Sequence, residues 1–142
     1  MNCYRLKYYR LKYMNFSILS DPSNLKIVRD HLKSFIKEKG FQKVDQDSVI
    51  LATDEAVQNV MRYAYNLEKD KKIDVTFEVK DPNLIIQIRD YGKQVPIEQI
   101  KPRELDDVKP GGLGVHFIRN ICEKVDYQHM DEGGGTKLTL TF

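Results

Sequence analysis

The segment from 73 to 90 reads IDVTFEVKDPNLIIQIRD and decides the fold. Apolar and polar residues alternate up to Val79, which predicts a strand with one apolar face. The alternation returns less strictly from Leu84 to Asp90, and residues 80–83 between the two runs read as a turn. The segment therefore predicts a β-hairpin that is covered on one side only.

The flanking sequence supplies the rest of the fold. Residues 16–19, 125–130 and 138–142 read as further strands. Helical spacing predicts a helix that stops at Gly40, a second over about 45–65 and a third over about 112–124. The first helix is expected to bury Leu25, Val28, Leu32, Phe35 and Ile36. We predict an α/β two-layer sandwich, with a mixed but mostly antiparallel sheet covered on one face by helices.

Composition limits the class of protein. The chain has 142 residues, the size of one domain. Hydrophobic residues make up 41% and charged residues 31%, a soluble globular composition, and the net charge of +2 does not point to nucleic acid. Cys3 and Cys122 offer neither a disulfide framework nor metal-ligand spacing. Because no apolar run approaches the ~20 residues of a membrane span and no signal peptide is visible, we expect a cytoplasmic protein.

The first thirteen residues contain a repeat. Tyr4-Arg5-Leu6-Lys7-Tyr8 is followed at once by Tyr9-Arg10-Leu11-Lys12-Tyr13, and then by Met14. One interpretation is an edge strand or a basic-aromatic patch for nucleic acid or a membrane. The other, which we favour, is that residues 1–14 are an upstream extension, non-native or disordered, and that a single domain spans 15–142.

Six of the eight glycines fall in two clusters, 111–114 and 133–135. The first cluster opens the predicted third helix, where free backbone amides and the helix dipole form an anion site. It has the order of neither a Walker loop nor a Rossmann turn, and on this cluster alone a flexible loop at a helix start is equally open. Residues 93–109 before it show little apolar periodicity and are long for a connection, which is typical of a lid or binding loop.

Strand parity places two polar residues under the helices. Asp90 shares the parity of the apolar residues of its strand, and Thr136 shares the parity of Leu138 and Leu140. A buried carboxyl group and a buried hydroxyl group both need partners. We expect either a ligand pocket at this end of the sheet or a carboxylate that caps a neighbouring loop.

Glu55 and Asn59 stand four residues apart on the second predicted helix and so share one face. At 100° per residue that face lies opposite the apolar stripe. The residues alone therefore favour a solvated surface for this pair.

Four further segments of the sequence belong together. They are Asp54-Glu55-Ala56-Val57-Gln58-Asn59 with Ala64-Tyr65, then Asp90-Tyr91-Gly92, Gly111-Gly112-Leu113-Gly114 with Ile118, and Gly135-Thr136. In this order they resemble the N box, the D-x-G box, the G-G-L-G box and the closing G-T of the GHKL ATPase superfamily, and the first segment is nearest to the N box of bacterial anti-sigma-factor serine kinases. Order and spacing agree over about 15–142.

The resemblance implies a Bergerat fold that binds ATP and Mg²⁺. It implies that Asp90 reads the adenine amino group with help from Thr136, and that Asn59 coordinates the Mg²⁺ ion that bridges the phosphates. It also implies that Glu55 is the general base toward a serine hydroxyl of a protein substrate. The nucleotide-binding residues implied are Asn59, Asp90, Gly92, Gly111, Gly112, Leu113, Gly114 and Thr136.

The resemblance also implies partners. Its nearest family consists of kinases that phosphorylate a small STAS-type antagonist protein in a partner-switching pathway, and members also bind a sigma factor, commonly as homodimers. Tyr63 stands where these kinases usually carry His, which puts any role of that position in doubt. We therefore keep two hypotheses, a serine protein kinase and a nucleotide-gated binding module that sequesters a partner without transfer chemistry.

Overall fold

The computed structural model describes residues 13–94, 96 and 118–142. A 3-10 turn precedes the first helix, a π-helical turn, Val60–Ala64, follows the second, and residues 118–121 are helical. In chain order the strands and longer helices are β1 (Tyr13–Leu19), α1 (Leu25–Lys39), α2 (Gln46–Asn59), β2 (Lys72–Lys80), β3 (Asn83–Arg89), β4 (Lys124–His129) and β5 (Thr136–Thr141).

The five strands form one sheet in the order β1-β2-β3-β5-β4, and every neighbouring pair is antiparallel. Lys80 pairs with Asn83 across the turn between β2 and β3, which confirms the predicted hairpin. The first and last strands of this order, β1 and β4, form the two edges, whereas β3 lies in the middle. The carboxyl end of β3 and the start of β5 therefore meet in the centre of the sheet.

The core lies between one face of the sheet and the helices, as the alternation predicted. In β3 every second side chain is buried, and in β2 the same holds for Ile73, Val75 and Phe77, while the side chains between them are half-buried on the uncovered face. α1 packs on β2 and α2 packs on β3, with Phe35 of α1 against Phe77 of β2 at 5.6 Å between ring centroids. The five apolar residues expected from α1 are all buried.

Side-chain caps mark the start of two helical segments. The Asp21 carboxylate caps the 3-10 turn that precedes α1, where it accepts a hydrogen bond from the Ser23 amide at 2.9 Å. The Asp45 carboxylate accepts one from the Ser48 amide at 3.0 Å, at the start of α2. α1 ends at Gly40, as predicted. None of the helices within the described ranges is both long and apolar enough to cross a membrane.

Several boundaries differ from the sequence expectation, including those of β4 and β5, which are shifted by one or two residues. β1 begins at Tyr13 and not at residue 16, because β2 is long enough to pair with Tyr13 and Met14. The second helix changes to a π turn after Asn59. The third helix does not reach Lys124, because the Glu123 amide donates to the Thr141 carbonyl at 2.8 Å and so joins the sheet.

Candidate functional site

Asp90 follows β3 and lies beneath the helical layer, where only 3% of its surface is exposed. Its Oδ1 atom accepts hydrogen bonds from the Gly92 amide at 3.0 Å and from the Thr136 amide at 3.3 Å. The Asp90 amide donates to the Thr136 carbonyl at 3.0 Å. Strand parity predicted this burial of both residues, and the structure confirms it. Backbone amides thus orient a buried carboxylate at the carboxyl end of β3, the middle strand of the sheet.

Burial and hydrogen bonding shift the pKa of Asp90 in opposite directions. Burial raises the pKa of the Asp90 carboxyl, because a charged group is disfavoured away from water. The amides of Gly92 and Thr136 and the nearby charge of Arg89 act in the opposite direction, although the pKa stays raised. A carboxylate held in this way is a directional acceptor for a ligand N–H group.

Two glycines allow the chain to approach itself closely around Asp90. A Cβ atom at Gly92 would lie 2.4 Å from the Ala64 carbonyl oxygen and 2.8 Å from the Tyr65 ring. A Cβ atom at Gly135 would lie 2.1 Å from the Asp90 carbonyl oxygen, and Gly135 has φ +74°. Neither position has room for a side chain, so both glycines are structural requirements of this site.

Asn59 and Glu55 lie on successive turns at the carboxyl end of α2, and both are half-buried. The Asn59 Oδ1 atom is buried and has no hydrogen-bond partner among the described residues. The helical projection that put Asn59 on a solvated surface was therefore wrong. A buried, unpaired amide oxygen is costly in a protein unless a ligand, cation or water satisfies it.

Other residues of the site carried no functional assignment from the sequence. The Tyr65 hydroxyl accepts a hydrogen bond from the Tyr91 amide at 2.7 Å, beside Asp90. Gln94 Nε2 donates to the carbonyl oxygens of Met130 and Gly135, at 3.1 and 3.0 Å, and so ties the start of the 93–109 segment to the turn before β5. Tyr65 belongs to the Ala64-Tyr65 part of the N-box motif, whereas no periodicity or motif in the sequence indicates a functional role for Gln94.

The described structure thus brings Asp90, Gly92 and Thr136 into direct contact. It connects them to the end of the Asn59 helix, because the Lys93 amide donates to the Ala64 carbonyl at 3.0 Å. The residues predicted to line the phosphates are Gly111, Gly112, Leu113 and Gly114. All four lie outside the described residues. No cluster of three or more His, Cys, Asp or Glu side chains suited to a metal occurs within the described ranges. A metal here would rely on other donors.

Comparison with protein families gives a match to the histidine kinase-like ATPase domain over residues 18–142. Among curated proteins, the chain is 26% identical over 125 residues to the serine-protein kinase RsbW of Bacillus velezensis, covering 82% of this chain and 78% of that protein. It is 31% identical over 98 residues to the serine/threonine-protein kinase BtrW of Bordetella bronchiseptica, covering 66% of this chain and 68% of that protein.

Solved structures share the fold. The SiaB–SiaC complex from Pseudomonas aeruginosa aligns with a TM-score of 0.66 and 14% identity, over 98% of this chain and 95% of that chain. The RsbU and RsbW domains of Rv1364c from Mycobacterium tuberculosis align with a TM-score of 0.63 and 20% identity, over 91% of this chain and 31% of that chain. These similarities confirm the two-layer architecture.

Proposed function

Since this chain belongs to the histidine kinase-like ATPase domain family, we propose that it is an ATP-dependent serine protein kinase that phosphorylates a small antagonist protein. The observation that carries the proposal is the buried Asp90 carboxylate, whose Oδ1 atom is held by two backbone amides. With Oδ1 engaged in this way, Oδ2 is the oxygen that would accept a hydrogen bond from the adenine amino group. GTP has a carbonyl oxygen at that position and would be repelled, so the site would prefer ATP.

The buried Asn59 Oδ1 atom suits the Mg²⁺ ion that accompanies ATP. Mg²⁺ takes hard oxygen ligands and commonly binds through one or two protein groups, with water and phosphate oxygens completing its shell. Asn59 Oδ1 is a hard donor without a hydrogen-bond partner among the described residues, so it fits this role. Bound Mg²⁺ would neutralise charge on the phosphates, and Gly111, Gly112, Leu113 and Gly114 would line them.

Glu55 would serve as the general base for transfer. Its carboxylate would take the proton of the substrate serine hydroxyl, the serine oxygen would bond to the γ-phosphorus, and the bond from that phosphorus to ADP would break. Glu55 lies one helical turn before Asn59 and is half-buried. A base and an Mg²⁺ ligand on one face of one helix would therefore act on the same phosphoryl group.

The substrate proposed is a STAS-type antagonist protein, in a partner-switching pathway where the kinase also binds a sigma factor. Support comes from the names of the relatives, which are serine-protein kinases, and from the fold shared with SiaB, which was solved with its partner SiaC. We extend the proposal to a cytoplasmic homodimer, because the kinases that the sequence resembles commonly dimerise.

A second candidate is a nucleotide-gated binding module without transfer activity. Tyr63 favours it, because this residue replaces the usual His, and its side chain is exposed beside the Asn59 helix. Both candidates require ATP binding at Asp90, and only the kinase requires Glu55. Phosphoryl transfer therefore distinguishes them.

The test is transfer of ³²P from labelled ATP to an antagonist encoded next to this chain's gene. We expect the wild type to label the antagonist and Glu55→Gln to label it roughly 10² times more slowly or worse, as for loss of a general base. Glu68→Gln is the matched control, since Glu68 is exposed and paired with Lys71, and it should label at the wild-type rate. A wild type that binds ATP and labels nothing would support the binding module, and a fast Glu55→Gln would exclude Glu55 as the base.

A further inference from the structure

Tyr65 lies between the Asn59 helix and the Asp90 turn. It is buried, with 7% of its surface exposed. Its hydroxyl accepts a hydrogen bond from the Tyr91 amide at 2.7 Å and donates one to the Lys72 carbonyl at 2.5 Å. Its ring lies directly under Gly92, where a Cβ atom would come within 2.8 Å of it. One side chain thus contacts β2, the Tyr91 amide and Gly92.

The π turn after α2 is what brings Tyr65 to this place. An ordinary α-helix would continue the buried stripe of Thr53, Val57 and Val60 to position 64. In the structure the Tyr65 amide instead donates to the Val60 carbonyl, five residues back, at 3.3 Å. As a result Ala64 is only half-buried, whereas Tyr65 is buried. The extra residue in the turn therefore rotates Tyr65, and not Ala64, beneath the Asp90 turn.

The loop that follows is fixed although its backbone is strained. Asn66 and Leu67 have φ of 49° and 65°, in the left-handed region that most residues other than glycine avoid. Ser20 holds the far end of this loop, because its hydroxyl donates to the Glu68 carbonyl and accepts from the Lys71 amide. Such conformations persist where surrounding contacts determine them, so the position of Tyr65 is set from both sides.

We propose that Tyr65 is a positioning residue for the nucleotide, whose hydroxyl and ring hold the 90–92 turn, and hence the Asp90 carboxylate, at a fixed place relative to Asn59. This inference rests on the proposed ATP binding. Tyr65 acts through the backbone of Tyr91 and Gly92 and does not itself touch the ligand. It connects the adenine end of the site with the helix that would hold the phosphate end.

The test uses Tyr65→Phe in the full chain, which removes the hydroxyl and keeps the ring. Loss of one hydrogen bond should increase the hydrogen-exchange rate of the Tyr91 amide about 5- to 10-fold, measured by NMR. Dissociation constants for adenosine and for ATP should rise by a similar factor for both ligands, because the change is at the adenine end. Asn59→Ala should instead weaken ATP with Mg²⁺ and leave adenosine binding unchanged.

Thr53→Ala is the matched control for a structural role. Thr53 is buried on the same helix, and its hydroxyl donates to the Val49 carbonyl at 2.8 Å. This variant should lower the melting temperature while the Tyr91 amide and the adenosine affinity stay at their wild-type values. If Tyr65→Phe leaves the Tyr91 amide unchanged, or weakens adenosine no more than Thr53→Ala does, the positioning role is excluded. If the wild type binds no adenosine or ATP, the proposed function fails first, and the exchange rate still decides whether Tyr65 holds the turn.

Discussion

The two ends of the candidate site differ in how their polar groups are satisfied. At the adenine end, the Asp90 carboxylate and amide and the Thr136 amide and carbonyl bond to one another. At the phosphate end, the buried Asn59 Oδ1 atom has no hydrogen-bond partner within the described residues. The fold therefore holds the adenine end through its own hydrogen bonds to Asp90 Oδ1, whereas the phosphate end carries a buried acceptor suited to a cation. Four variants test this difference.

The largest effect on stability is expected from Gly135→Ala, at the adenine end. The new Cβ atom would lie 2.1 Å from the Asp90 carbonyl oxygen, a backbone atom that cannot move aside, at a φ of +74°. We expect unfolding in urea to show a loss of about 3 kcal/mol, from overpacking and the left-handed backbone together. Gly134→Ala is the control, since its φ is +66° but nothing lies within 4 Å, and it should cost only about 1 kcal/mol. Equal losses would show that the close approach to Asp90 is unimportant.

The next largest effect is expected from Ser20→Ala, because Ser20 fixes the loop that follows Tyr65. Ser20 is buried and its hydroxyl makes two hydrogen bonds to the loop after Tyr65. Their loss should lower the free energy of unfolding by about 2 kcal/mol. Ser17→Ala on the uncovered face of the sheet should cost clearly less, because its partner Asp74 stays accessible to water. If the Ser20 variant is as stable as the Ser17 variant, the Ser20 hydroxyl does not fix this loop.

A smaller effect, of opposite sign, is expected from Asn59→Ala. The variant removes a buried acceptor that lacks a partner and puts the best helix former in its place. We expect the free protein to be more stable by about 0.5 kcal/mol while it loses Mg²⁺-dependent ATP affinity. Thermal unfolding with and without ATP measures both. A marked destabilisation of the free protein would mean that the Asn59 side chain is satisfied within the fold.

The smallest effect on stability is expected from Asp90→Asn, and it depends on pH. Burial raises the pKa of Asp90 in the folded state above its ordinary value, so the ionised carboxylate destabilises the fold. This destabilisation is fully present above the folded pKa and is relieved as the pH falls through it. Asn keeps the acceptor for Gly92 and Thr136 without the charge. The variant should therefore be the more stable protein at pH 7, with an advantage that shrinks toward about pH 4, and an advantage that grows on acidification would contradict this.

Most of the fold was predictable because strand alternation and helix spacing are local signals. The alternation in β2, β3 and β5 indicated the covered face and thereby the burial of Asp90 and Thr136. The position of Asn59 was not predictable in this way. A 100° projection treats the helix as an isolated cylinder and takes no account of what packs on it, whereas the structure buries the Asn59 amide oxygen.

The remaining errors have the same origin. The third helix stops before Lys124 because a sheet bond to Thr141 competes with the helix, and β1 starts early because β2 offers partners. Such choices depend on residues distant in the sequence. The roles of Glu55 and of Gly111, Gly112, Leu113 and Gly114 stay predictions from resemblance, and the four glycine-loop residues lie outside the described residues.

Calorimetric titration with ATP and Mg²⁺ measures whether this chain binds ATP through Asp90. We expect the wild type to bind ATP in preference to GTP. Asp90→Asn should bind ATP at least roughly tenfold more weakly, as for loss of a hydrogen bond to a charged group, in a protein that is still folded. A wild type that binds neither nucleotide, or an Asp90→Asn variant that binds ATP as tightly as the wild type, would contradict the account.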